Sequence, residues 1–239
     1  MKTGKLSEKI IWITGSGRGI GKAAALALAE CGARVVLCAR SSGEINETAT
    51  EIHTIGGQVL AIPCNVSDQN QVDALVNRVK QQWGPVDILI NNAGVAAFKK
   101  IVNTTVQDWD AMLDSNLKAA FLCSQAVLPD MLEKGAGHII NVVSVAGKQP
   151  YYNCGAYCAS KYGLLGFTEV LRMETRKHGI MVTAFLPGAT DTTLWGSANV
   201  DRTKMMTTAQ VAQGLVNICA SEPGCMTEQV IMRPIGGDL

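Results

Sequence analysis

The stretch Ile10-Ile11-Trp12-Ile13-Thr14-Gly15-Ser16-Gly17-Arg18-Gly19-Ile20-Gly21 decides how this chain folds. Its first five residues are β-branched or aromatic and suit a buried strand. Glycine then recurs at every second position, and a segment rich in Ala and Leu opens directly behind it. Strand, glycine turn and helix in that order form one βα unit. The glycines permit a tight turn and let backbone N–H groups at the helix start approach an anion such as a pyrophosphate.

The same alternation continues to the carboxyl end. Strands are predicted at 10–14, 34–39, 58–62, 86–91, 137–143, 180–186 and 229–233. Amphipathic helical patterns lie near 20–31, 44–55, 69–82, 105–133, 158–178 and 208–220. Strands alternating with helices point to a parallel sheet covered on both faces. No repeat or low-complexity linker divides residues 1–239, which read as a single domain. The long irregular stretch 187–206 follows a strand end, at the sheet edge where such proteins bind ligands, and is expected to cover a substrate.

Composition removes several function classes. A formal net charge of +1 argues against a nucleic-acid binder. No apolar run is long enough to span a bilayer, and the polar start has no signal-peptide pattern, so a cytoplasmic protein without membrane contact is expected. The eight cysteines form no CxxC pair and read as reduced, buried thiols; Cys154 and Cys158 retain a redox alternative. With three histidines, none at metal-ligand spacing, no metal site is expected.

The second predicted strand ends in Cys38-Ala39-Arg40-Ser41. A carboxylate there commonly binds the ribose 2′-hydroxyl of NAD, whereas arginine accommodates the 2′-phosphate of NADP. Arg18 and Arg40 are each explicable as solvated surface charges. Together, with the acid missing, they favour NADP(H).

Further along stand Asn91-Asn92-Ala93-Gly94, Asn116, Ser144 and Tyr157-Cys158-Ala159-Ser160-Lys161. Tyr157 and Lys161, four residues apart, share a helix face. A tyrosine normally loses its proton near pH 10, and an adjacent ammonium lowers that value, which suits Tyr157 to acid–base work. Tyr157 would donate a proton to a carbonyl oxygen as a hydride reaches the carbon. Ser144 would bond the same oxygen and stabilise its developing charge.

The spacing Thr14-Gly15-x-x-x-Gly19-x-Gly21, with Asn91–Gly94, Asn116, Ser144, Tyr157, Lys161 and Pro187-Gly188-Ala189-Thr190-Asp191-Thr192, resembles the short-chain dehydrogenase/reductase family across residues 6–234. That resemblance implies a Rossmann-type doubly wound sheet of about seven parallel strands in the order 3-2-1-4-5-6-7. It implies catalytic roles for Asn116, Ser144, Tyr157 and Lys161, with Asn116 holding a water that relays protons to the lysine. Cofactor contacts are implied at Gly15, Ser16, Arg18, Gly19, Ile20 and Gly21, then at Arg40, Ser41, Asn65 and Val66. Further contacts are implied at Asn92, Ala93, Gly94, Tyr157, Lys161, Pro187, Gly188, Thr190 and Thr192. Lys161 would also hold the nicotinamide ribose, while Thr190 and Thr192 grip the carboxamide. Asn65, where the family more often has Asp, and Gly17, often Ser or Thr, depart from the pattern.

The chain most resembles bacterial 3-oxoacyl-[acyl-carrier-protein] reductases and the carbonyl reductases around them. A 3-oxoacyl thioester is the expected substrate; a small carbonyl, polyol, hydroxy acid or pterin-like ketone is the alternative, and a non-catalytic NADP-binding sensor the remote one. Lys134, Arg172, Arg176 and Lys177 could meet an acidic acyl carrier protein, although a solvated helix face explains them equally well. Leu194, Trp195, Met205 and Met206 are expected to form an apolar lid. Apolar residues on more than one face of the helices at 105–133 and 158–178 suggest a homodimer or homotetramer.

Overall fold

The structure, a computed structural model, describes residues 4–196, 200–222 and 224–237. Residues 197–199 of the expected substrate-covering loop therefore lie outside the described residues.

Seven parallel strands form one sheet in the order β3-β2-β1-β4-β5-β6-β7. They are β1 (Ile10–Thr14), β2 (Arg34–Cys38), β3 (Gln58–Ala61), β4 (Ile88–Asn91), β5 (Gly137–Val142), β6 (Ile180–Pro187) and β7 (Gln229–Met232). The helices between them are α1 (Gly19–Glu30), α2 (Ser42–Thr54), α3 (Gln69–Gln82), α4 (Val106–Leu113), α5 (Ala119–Lys134), α6 (Gly155–Thr175) and α7 (Thr208–Cys219).

Every residue of β1 is buried, and the two-residue period of a strand sorts them between two cores. Ile11 and Ile13 join Leu28, Ile45 and Leu215 on the side of α1, α2 and α7. Ile10 and Trp12 join Val72, Cys123 and Leu171 on the side of α3, α5 and α6. The order of strand addition reverses at β1, which pairs in parallel with β2 on one side and with β4 on the other. Ligands bind beyond the carboxyl ends of strands at such a switch point.

The helix expected over 105–133 runs without interruption over 106–134 but changes its winding part-way. A π-turn over Asp114–Lys118 joins α4 to α5, admitting an extra residue and turning Asn116 inward. Of the eight cysteines, none is in a disulfide; six are buried, Cys31 is intermediate and Cys225 exposed.

Two of the basic residues suggested for a carrier protein have partners within the chain, Lys134 at the surface and Arg172 in the interior. Lys134 pairs with Asp87 at 2.6 Å. Arg172 is 7% exposed and donates from Nε to Val182 O (2.9 Å) and from Nη2 to Glu228 O (2.8 Å). It works at the stretch of β6 that precedes the first β7 pairing, Ala184 with Gln229, where a strand carbonyl has no strand partner. Arg176 and Lys177 remain exposed.

Arg172→Met keeps the apolar stem but leaves the buried Val182 carbonyl without its donor and Glu228 O with only its bond from Ala184 N. Charged hydrogen bonds of this kind are worth about 1.5–3 kcal/mol, so urea unfolding should show a loss of that order. An unchanged urea midpoint would return Arg172 to the list of residues available for docking.

Candidate active site

The glycine turn is held open from β4. Thr14 Oγ1 accepts from the backbone N–H groups of Asn92 and Ala93, both at 2.9 Å. Asn92 Nδ2 donates to Thr14 O (2.9 Å) and Gly15 O (3.1 Å). Gly15 has φ +64°, and a methyl group there would stand 2.9 Å from Ala93 Cα, so both conformation and contact require glycine. At Gly21 a methyl group would collide with Gly15 O, so this glycine lets α1 pack against the turn.

Above the turn lies a cleft of about 1000 Å³ at the carboxyl edge of the sheet. Gly15, Arg18, Gly19 and Ile20 line it, together with Arg40 and Ser41, Asn65 and Val66, and Asn92, Ala93 and Gly94. Ser144, Tyr157 and Lys161 line it too, as do Pro187, Gly188, Thr190 and Thr192. Three expected site residues do not. Ser16 is fully buried, accepting from Cys38 N at 2.8 Å, which ties the turn to β2. Gly21 is packed against Gly15 O and Asn92 Nδ2. Asn116 stands behind the cleft: Oδ1 accepts from Val95 N (2.8 Å), and Nδ2 donates to Val95 O (3.0 Å) and Ser160 Oγ (2.9 Å). Both amide hydrogens are thus used, and its side chain braces the chain after β4.

The cleft suits a dinucleotide. Side chains cap α2, α3, α4 and α7, whereas α1, with Arg18 at its N-cap, has no side-chain cap and no acid in its first turn, as is also true of α6. The N–H groups and positive dipole end of α1 therefore face the glycine turn with no internal anion to satisfy them. Arg40, at the end of β2, is exposed and makes no hydrogen bond or ion pair among the described residues, leaving its guanidinium available for a phosphate.

At the other end three elements converge. Ser144, two residues past β5, lies close enough to the Tyr157 hydroxyl to lower its proton affinity and accepts from Ala146 N at 3.1 Å. Lys161 is buried, with Nζ donating to Val142 O at 2.9 Å and lying 5.8 Å from the Tyr157 ring centroid. Burial pushes the Tyr157 phenol up to about 12, partly offset by Ser144, and holds the Lys161 ammonium down at about 7. The expected lowering of Tyr157 by the lysine is therefore absent. Desolvation dominates at Tyr157, with Cys154 and Cys158 adding to the rise, while Lys161 Nζ is engaged on a backbone carbonyl.

The chain position of Phe98 gave no sign of its role. Its ring stacks on Trp195 (5.3 Å, 20°) and meets Tyr157 edge-on at 6.3 Å. Trp195 Nε1 donates to Thr190 O at 2.8 Å, fixing this aromatic wall over the reacting end. Leu194 and Trp195 line the cleft as expected of a lid, but Met205 and Met206 are buried beneath it.

A family profile described as short chain dehydrogenase matches residues 9–203. An uncharacterised oxidoreductase of Staphylococcus aureus (strain USA300) is 32% identical over 230 residues, 96% of this chain and 99% of that protein. A 3-oxoacyl-[acyl-carrier-protein] reductase of Synechocystis sp. is 39% identical over 191 residues, 79% of this chain and 77% of its own. Among solved structures, a metagenomic short-chain oxidoreductase in complex with NADP superimposes with a TM-score of 0.85 at 33% identity, covering 96% of this chain and 98% of the other. A short-chain type dehydrogenase/reductase from Mycobacterium marinum gives 0.89 at 27% identity, covering 96% and 95%. The profile spans most of the strands and all of the convergent residues from Thr14 to Thr192, and the chain belongs to the short-chain dehydrogenase family.

Proposed function

We propose that this oxidoreductase uses NADP(H) to interconvert a ketone and a secondary alcohol. The observation that carries this reading is the meeting of Ser144, Tyr157 and Lys161 at one end of a cleft whose other end holds Arg18 and Arg40. The NADP named with the metagenomic relative supports the cofactor. Arg18, Arg40 and Ser41 would hold its 2′-phosphate, the start of α1 its pyrophosphate, and Lys161 its nicotinamide ribose.

When bound, the dinucleotide supplies the hydride. The protein's part is the carbonyl oxygen. Tyr157 is protonated at neutral pH and holds the proton the carbonyl oxygen needs, although burial, which pushes its phenol up to about 12, makes it a weaker acid than a free tyrosine. Ser144 orients the oxygen and stabilises its growing charge. The aromatic wall of Phe98 and Trp195 excludes water from that transfer.

For the substrate we favour a 3-oxoacyl thioester, supported by the Synechocystis reductase. A second reading, a compact neutral ketone, is favoured by the aromatic wall and by the structural use of Lys134 and Arg172, which leaves fewer cations for a carrier protein. Turnover of 3-oxoacyl thioesters beside simple ketones, followed at the nicotinamide absorbance band, separates the two.

No helix among the described residues is long and apolar enough to cross a membrane. Val106, Trp109, Phe121, Val170 and Met173 are exposed on α4–α6, while Leu122, Val127 and Leu164 are buried in the core. This apolar face supports self-association into a dimer or tetramer, for which light scattering at micromolar protein should give a multiple of the chain mass. A monomer would remove it.

Tyr157→Phe keeps the ring but removes the proton donor; turnover should fall by about 10²–10⁴-fold, the range of positioned general acids, with NADPH titration unchanged. Ser144→Ala should lower turnover with the cofactor still bound, whereas Lys161→Ala should damage both. A phenylalanine variant within a few-fold of wild type would defeat the mechanism.

Lys161 also makes ligand-free stability depend on pH. An unfolded lysine keeps its proton to about 10.5, but the folded one releases it near 7. Between those values the unfolded chain binds more protons, so stability rises with pH. Wild type should gain stability relative to Lys161→Met as pH climbs through this window, and the difference should be flat below it. Parallel urea curves would contradict the buried, depressed ammonium.

A further inference from the structure

A carboxylate reaches the cofactor end of the cleft although the end of β2 carries none. Glu44 lies in the first turn of α2, three residues after the N-cap Ser41. Ser-x-x-Glu is the capping-box spacing, in which the glutamate turns back to the N-cap N–H. Thr105 with Asp108, and Thr207 with Gln210, close such boxes at α4 and α7. At α2 only half is made, Ser41 Oγ accepting from Glu44 N at 3.4 Å.

The carboxylate has turned toward the glycine turn instead. Its Oε1 meets Arg18 Nη1 at 3.3 Å. It lies over Gly17, where a methyl group would stand 2.7 Å from Glu44 Cβ and 3.0 Å from Oε2. The buried Thr48 hydroxyl lies within hydrogen-bond distance of Glu44 O (3.0 Å) and Gly17 O (3.4 Å), so this turn of α2 is fixed against the glycine turn. Arg18, Arg40, Ser41 and Glu44 all line the cleft.

We propose that Glu44 is a specificity-determining residue of the dinucleotide site, competing with a 2′-phosphate for Arg18 and offering an acceptor to a 2′-hydroxyl. This rests on the NADP(H) reading above. The ion pair is open to solvent, with side-chain exposures of 66% and 38%, so Arg18 can leave it readily for a phosphate. Glu44 does not leave with it, because its backbone is held at Thr48 and keeps the carboxylate within side-chain reach of the glycine turn. It stays beside the arriving dianion as a like charge. Toward a 2′-hydroxyl the same carboxylate is a charge-assisted acceptor. The preference for the phosphorylated cofactor is therefore narrower than Arg18 and Arg40 alone would set.

The test is calorimetric titration of the full chain with 2′,5′-ADP and with 5′-AMP, in wild type and Glu44→Gln. Glutamine keeps the length and helix propensity of the side chain and removes only its charge. Glu44→Gln should bind 2′,5′-ADP about two- to fivefold tighter, the scale of an exposed charge pair, and 5′-AMP no tighter. Unchanged or weaker 2′,5′-ADP binding would overturn the proposal, since Glu44 would then be a bystander or would serve to orient Arg18. Wild type binding 5′-AMP as tightly as 2′,5′-ADP would instead defeat the NADP(H) reading, while the shift on Glu44→Gln still judges Glu44 itself.

Discussion

The site depends on one side chain, Thr14, at the carboxyl end of β1. Its hydroxyl takes two backbone N–H groups from the segment after β4, and Asn92 returns two bonds to the backbone at Thr14 and Gly15. This lock fixes the gap at the switch point and stops the glycine turn from closing over it. From there the bracing runs on. Val95 is clamped by Asn116, Asn116 bonds Ser160, and Ser160 Oγ donates to Tyr157 O at 2.7 Å. A second line crosses the sheet, from Asn91 to Asn141 (2.8 Å) and from Asn141 to Thr168 on α6 (2.8 Å). The two ends of the cleft are thus set relative to each other by short, buried hydrogen bonds.

Much of this was legible in the residues, for identifiable reasons. Strands buried on both faces must be apolar, and a turn with Gly15 at φ +64° must be glycine, so β1 and its turn announced themselves. Tyr157 and Lys161 were legible because helix periodicity puts them on one face. What escaped depended on contacts between distant segments. Ser16 sits among cofactor-facing glycines, yet its hydroxyl is drawn to Cys38 on the neighbouring strand. Arg172 reads as a surface charge on a helix, but β6 has carbonyls that need a donor. Glu44 reads as half of a helix cap and is diverted by Arg18. The π-turn that joins α4 to α5 has no Gly or Pro to mark it, because it needs neither.

The reacting end also shows how burial chooses protonation. Among the described residues no carboxylate hydrogen-bonds Lys161, and its contact is a backbone carbonyl, so dehydration sets its proton affinity. The same dehydration keeps Tyr157 a neutral phenol. A cleft that avoids burying lone charges has no strong local field of its own at this end, and a charged ligand entering it acts on both groups across a poorly screening medium.

The strand order carries a consequence for how the chain is made. β1 sits between β2 and β4, so its second neighbour arrives only after both β2 and β3 have been laid down on the far side. β5, β6 and β7 then add outward from β4, one at a time. During synthesis from the amino end, the nucleotide-holding half can therefore assemble while β4 still shows an open edge. The groups that handle the carbonyl emerge after it, carried by the segments that cover that edge. Each new strand shields the one before from sticking to other chains, so the chain completes its chemistry by the same additions that make it safe from aggregation.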